Sequence, residues 1–333
     1  EAALSSAGAL SISAGNTTSV GALALTSTGS TISLDSPVAS QGAVTMTANS
    51  GLTLGNSTLT ATGNISLQGG SSLSLASGMN ISGANITLEG TNITGNNGSV
   101  TLNSTGNITA NNLITSLSTA NFNASSGISL VGLSTNGTVG LDSGTGTTTI
   151  TGALSTTNNP LTITGSDLSL TGSINTGTSS TTINVSNGGS LGLGFVSGFS
   201  GMNVSNAELA LITGDLNLIN NSITVESGTS VNLTGKLVIG QSAGTITGNG
   251  AMTLAATNGL GVDNNITATG NIALDGDSNN SNQTGDGITL GSGVSVTSSG
   301  GTITLDSTNG GITAPGAVTL DAAGAITLND DFT

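Results

Sequence analysis

The sequence predicts an all-β protein, a right-handed parallel β-helix (β-solenoid) with coils of about 20 residues, forming a single continuous segment over residues 1–333. Three features carry this expectation. Short segments of alternating apolar and small polar residues recur along the chain, they begin roughly seven to nine residues apart, and the residues between them are ones that turn a backbone tightly. The right-handed form is expected because it is the commoner one.

The repeat is visible from the first residues. Glu1 to Ala14 already has Leu10 and Ile12 in core positions, and STISLDS follows at 30–36. Segments then start at Leu52, Leu59, Ile65, Leu73, Ile81, Ile86, Ile93 and Val100, while Val44, Ile65 and Ile86 head similar units one coil apart. TATGNISL at 60–67 returns as TATGNIAL at 267–274, with STGNITA at 104–110 between them. GTITLDS at 301–307 and GAVTLDA at 316–322 repeat the earlier STISLDS, and the last segment holds Ile326 and Leu328. Alternation with a period of two places the apolar side chains on one face of a strand and Ser or Thr on the other. Strands of three to five residues are too short for a large sandwich, and a propeller would repeat at about 40 residues with aromatic markers. Stacked coils, by contrast, bury one column of Leu, Ile and Val. About 15 coils would make a stack on the order of 70 Å long. Gly and Asn tolerate the positive φ of the corners, and outward Thr, Ser and Asn are expected to form ladders from coil to coil.

Composition removes several functional classes. Gly, Thr, Ser and Asn make up more than half of the chain, and charged residues are 5%, against about 25% in an ordinary domain. Lys236 is the only basic side chain in a chain of net charge −15, which excludes nucleic acid as a partner. There is no His, Cys, Trp, Tyr or Arg, so most enzyme chemistry is absent and no catalytic residue is expected. No apolar run approaches the roughly 20 residues that span a bilayer, so no membrane insertion is expected in this segment. The regular placement of Leu, Ile and Val argues against disorder.

The TGNI, NITL and ITLDS units, spread over the whole sequence, resemble the repeat region of filamentous-haemagglutinin-like exoproteins and autotransporter passengers. The resemblance implies a large right-handed β-helix exported to the surface of a bacterium. The expected function is therefore the non-catalytic structural shaft of an extracellular bacterial adhesin or surface filament. The alternatives are a β-helical adhesin in direct contact with a receptor or glycan, a polysaccharide-active enzyme, or an ice-binding protein. The implied location is extracellular, at the cell surface, either outer-membrane-associated or secreted. The implied partners are further coils of the same solenoid, end-to-end copies of it, and a host or neighbouring cell surface.

The sharpest local motif is DGDSNNSNQTGD at 275–286. Asp275, Asp277, Asn279, Ser281 and Asp286 fall at positions 1, 3, 5, 7 and 12 of a calcium loop, making Ca²⁺ the candidate cofactor. Asn280 stands where such loops have Gly, and Asp286 where they have the longer Glu; the alternative is a solvated acidic loop between two coils. Asn-x-Ser/Thr sequons, as at Asn64, Asn85, Asn92 and Asn107, follow from the composition of the strand starts. GLGFVSGFSGM at 192–202 breaks the rhythm, and Phe195 and Phe199 are expected to fill an irregular core coil there. The adjacent acids Asp330 and Asp331 would point to opposite faces of a strand, which argues against a pair of glycosidase carboxylates. Thr-x-Thr pairs of the kind that could order water occur at Thr45 and Thr47, Thr162 and Thr164, Thr245 and Thr247, and Thr302 and Thr304, but their spacing predicts no single aligned face.

Overall fold

The computed structural model describes residues 1–13, 15–55, 58–194, 198–220, 222–233, 235–240, 244–281 and 285–333. Two compact units divide the chain, one of residues 1–165 with 170–173, the other of 166–169 with 174–333. Each is a parallel β-solenoid with three strands to a coil; the coils are about 21 residues apart, and farther apart where segments are inserted in the second unit, as between Leu260 and Ile288.

In the first unit, one face stacks Ala2–Ser6, Leu23–Ser27, Val44–Ala48, Ile65–Gly69 and Ile86–Glu89 in parallel. The second face begins with Leu10–Ile12, Thr31–Leu34, Gly51–Leu54 and Ser72–Leu75. On the third lie Thr17–Ser19, Val38–Ser40, Thr58–Ala61 and Met79–Gly83. Register is residue for residue, so Leu23, Val44, Ile65, Ile86, Ile108 and Ile128 form one inward column. From Val44 onward every member of that column is essentially inaccessible, and each such burial contributes about 1.5–3 kcal/mol. Alternation in the sequence thus becomes a continuous apolar interior.

Strand length departs from the expectation. Ile93–Ser104 and Asn107–Ala124 run for 12 and 18 residues. Their corners do not interrupt the ladder: Asn96, Asn97 and Ser116 take φ of 49°, 56° and 57° and bend the chain at register shifts. Residues able to adopt the left-handed conformation turn the corner there without ending the strand.

The second unit also has three faces. One stacks Ser190–Leu193, Ser222–Val225, Ile246–Gly248, Ile266–Ala268, Ser295–Ser298 and Thr319–Ala322. Another stacks Thr229–Leu233, Met252–Ala256, Ile272–Asp275, Ile303–Asp306 and Ile326–Leu328. The third runs from Ile174–Val185 and Ile212–Ile219 through Leu237–Ile239, Leu260–Val262 and Ile288–Leu290 to Ile312–Thr313. The break at 192–202 is followed by the short helix Asn206–Leu209. Ser205 caps it, with its hydroxyl accepting from the Glu208 N–H and the Glu208 carboxylate accepting from the Ser205 N–H; this is the Ser-x-x-Glu box.

Phe199 does not fill the core. A Cβ built on Gly192 would lie 3.0 Å from the Phe199 ring, and Gly192 faces outward between the buried Leu191 and Leu193. Phe199 therefore lies across the outer surface of the sheet, where Gly192 leaves room for it. Phe195 lies outside the described residues. Among the described residues, the aromatic that does occupy a core column is Phe122, with 0% exposure.

Candidate functional site

The insertion at 275–286 leaves the strand Ile272–Asp275 and returns to the strand Ile288–Leu290. Asp275 stands in register with Asp306 one coil on, so two carboxylates face each other across a parallel ladder. Burial is the main cause that pushes the Asp275 carboxyl above its ordinary value of 3.8, and repulsion from Asp306 and Asp277 adds to it. The Asp277 N–H, which donates to Asp275 Oδ1 at 3.0 Å, pulls the other way. Asp306 is partly relieved, because Asn329 Nδ2 donates to its Oδ2 at 2.9 Å.

Asp277 is only 1% exposed and acts as an acceptor on both oxygens. Oδ1 accepts from the Ser281 N–H at 2.9 Å, and Oδ2 accepts from Asn309 Nδ2 at 3.1 Å. Asn279 Oδ1 also accepts from the Ser281 N–H, at 3.1 Å. Asn280, at the position where a calcium loop has Gly, takes φ of 50°. The first part of the motif therefore closes as a tight turn tied by Asp277 to the next coil. Asp286 is buried at 8% exposure where the chain re-enters the stack. Residues 282–284 lie outside the described residues. Among the described residues, no group of three or more His, Cys, Asp or Glu is placed to hold a metal ion.

The raised Asp275 carboxyl sets a direction for pH dependence. The folded state holds that proton more tightly than the unfolded chain does, so ionisation costs stability as the pH rises from the unfolded value of 3.8 through the folded one. The cost is absent in acid and grows as the pH rises. Asp275→Asn, which keeps an acceptor for the Asp277 N–H, is expected to raise Tm at pH 7 and to leave it unchanged near pH 3. Thermal melts at the two pH values check this, and a variant less stable at pH 7 would contradict it.

Polar ladders occur on the outer faces, as expected for Asn. Asn85 Nδ2 donates to Asn64 Oδ1 at 2.9 Å, and the Asn107 N–H donates to Asn85 Oδ1 at 2.8 Å. A second column is Asn80, Asn103 and Asn123, with bonds of 3.2 and 3.0 Å. The side-chain nitrogen of the Asn85 sequon is thus engaged in holding two coils together. Two further devices were not anticipated. Ser40, Ser104 and Ser298 turn inward at corners and donate at 2.7 Å to carbonyls of Gly21, Ala84 and Gly270 on the preceding coil. Ser40 and Ser104 also accept from the N–H of Gly42 and Gly106 two residues on; the signal that could have revealed them is the recurrent Ser-x-Gly. The Glu89 carboxylate is bracketed by Gln68 Nε2 at 2.7 Å from one coil and Asn111 Nδ2 at 2.6 Å from the next.

The threonine pairs lie on different faces. Thr45 and Thr47 belong to the first face of the first unit, Thr162 lies on its third face, and Thr304 stacks between Ala273 and Thr327 in the second unit. Thr247 joins an unbroken threonine column with Thr224, Thr267 and Thr297. No helix among the described residues is long and apolar enough to cross a membrane. No protein-family model, curated protein or solved structure matches the chain.

Proposed function

We propose that the chain is a structural shaft of an extracellular bacterial adhesin or surface filament, with no catalytic chemistry of its own. The observation that supports this reading most is the residue-for-residue register from Leu23 through Val44 and Ile65 to Ile86, which extends a stack by repeating one coil on the next. The amide ladders and the corner serines serve the same end, each joining one coil to its neighbour.

A shaft works by holding what it carries at a distance and by resisting proteases, so two measurements bear on it. Folded protein is expected to survive broad-specificity proteinase K for hours, since a ladder closed on every coil rarely opens locally. Trypsin is uninformative, because Lys236 is its only site. In the parent adhesin, removal of one whole coil is expected to leave cell attachment intact. Attachment abolished by that deletion in a folded, exported protein would favour direct receptor contact by these coils instead.

A further inference from the structure

A cleft of about 460 Å³ runs along one corner of the second unit, lined by Thr213, Gly214, Asp215, Gly235, Lys236 and Asn258 among others. Its floor is bare for a structural reason. Gly214 and Gly235 have φ of 101° and 144°, and a Cβ on Gly235 would lie 2.5 Å from the Gly214 carbonyl. Coils approach so closely at this corner that only glycine fits, which leaves backbone at the bottom and polar side chains on the walls. Every lining residue is Gly, Thr, Asn, Asp or Lys, so hydroxyl, amide and charged groups stand over the bare backbone.

The wall also carries the only basic side chain of the protein. The Lys236 N–H donates to Asp215 Oδ1 at 2.8 Å, while its ammonium makes no hydrogen bond or ion pair among the described residues. With 16 acidic side chains in the sequence, an ammonium without a carboxylate partner is conspicuous. Asp215 stands beside it in the same cleft. One positive and one negative group, together with hydroxyl and amide groups, fit a ligand that presents carboxylates among many hydroxyls.

We propose that this cleft binds an acidic saccharide chain, with Lys236 holding a uronate carboxylate and Asp215, Thr213 and Asn258 accepting or donating to its hydroxyls. The proposal does not rest on the shaft reading, because a purely structural segment and a contact segment both leave the corner as it is. A charge-assisted hydrogen bond is about twice as strong as a neutral one, so the carboxylate is expected to dominate the affinity.

The test is calorimetric titration of the whole chain with a galacturonate tetramer, with its carboxyl-reduced neutral counterpart and with tetraglutamate. The galacturonate tetramer is expected to bind. Reduction of its carboxyls, or Lys236→Gln, is expected to weaken binding at least tenfold, about 1.4 kcal/mol, while Lys236→Arg retains most of it. Lys236 is exposed, so unchanged circular dichroism of the variants will show that folding is not at issue. Absence of galacturonate binding, equal binding by wild type and Lys236→Gln, or a preference for tetraglutamate would each overturn the proposal.

Discussion

Deletion of Ile65–Asn85 is expected to give a protein that folds to the same stack with one coil fewer and melts within a few degrees of the original. Ile86 pairs with Ile65 in the same register as Ile65 pairs with Val44, and Leu88 follows Leu67 as Leu67 follows Met46. After the deletion Ile86 lies on Val44, and Asn64 precedes Ile86 as it now precedes Ile65. Every inward position keeps an apolar neighbour above and below. Because each coil touches only its neighbours, stability is close to a sum of local terms and one removed term leaves the others standing. Deletion of Ile65–Leu75, about half a coil, has the opposite outcome. It puts Ala76 to Gly78 where Ile65 to Leu67 had packed and carries Met79 and Ile81 off their face, so the buried set no longer matches the core. Far-UV circular dichroism and thermal melts of the two variants check the pair. Loss of structure in the whole-coil deletion, or its retention in the half-coil deletion, would contradict the nearest-neighbour account.

The same periodicity explains why the fold was legible in the sequence. A period of two within segments such as Ile65–Gly69, and a period near 21 between them, are both set by backbone geometry, so Val44, Ile65 and Ile86 could be aligned by eye. The corners were less legible. Asn96, Asn97 and Ser116 look like any other polar residues until their positive φ shows that the strand continues through them. Phe199 was misplaced for a related reason: bulk suggests a core, but the space available to it lies over Gly192 on the outside. In the acidic motif, spacing named Asp277 among five candidate ligands but gave no sign that it would be the most buried of them. Spacing carries no information about the donors brought by neighbouring coils, and Asn309, which bonds Asp277, lies 32 residues away. The cleft around Lys236 was hidden for the same reason, since Thr213, Asp215, Lys236 and Asn258 come from successive coils.

The two phenylalanines now make opposite predictions. Phe122 continues the column Leu102, Phe122, Leu141 on the third face of the first unit, and its neighbours above and below are fully buried leucines. Parallel ladders hold the adjacent backbones about 4.8 Å apart, so the coils cannot close around a missing ring. Phe122→Ala is therefore expected to cost about 3–5 kcal/mol, the range for a large core aromatic replaced where the site does not collapse. Phe122→Leu should cost well under half of that, because leucine is what the column already holds on either side. Phe199→Ala removes a ring from an outer surface that solvent can reach, and its cost should be about 1 kcal/mol or less. Urea unfolding of the three variants measures the differences at a common m-value. A loss at Phe199 equal to that at Phe122 would mean that the ring over Gly192 is part of the core after all, and that the outer face of this sheet is closed to solvent and to partners alike.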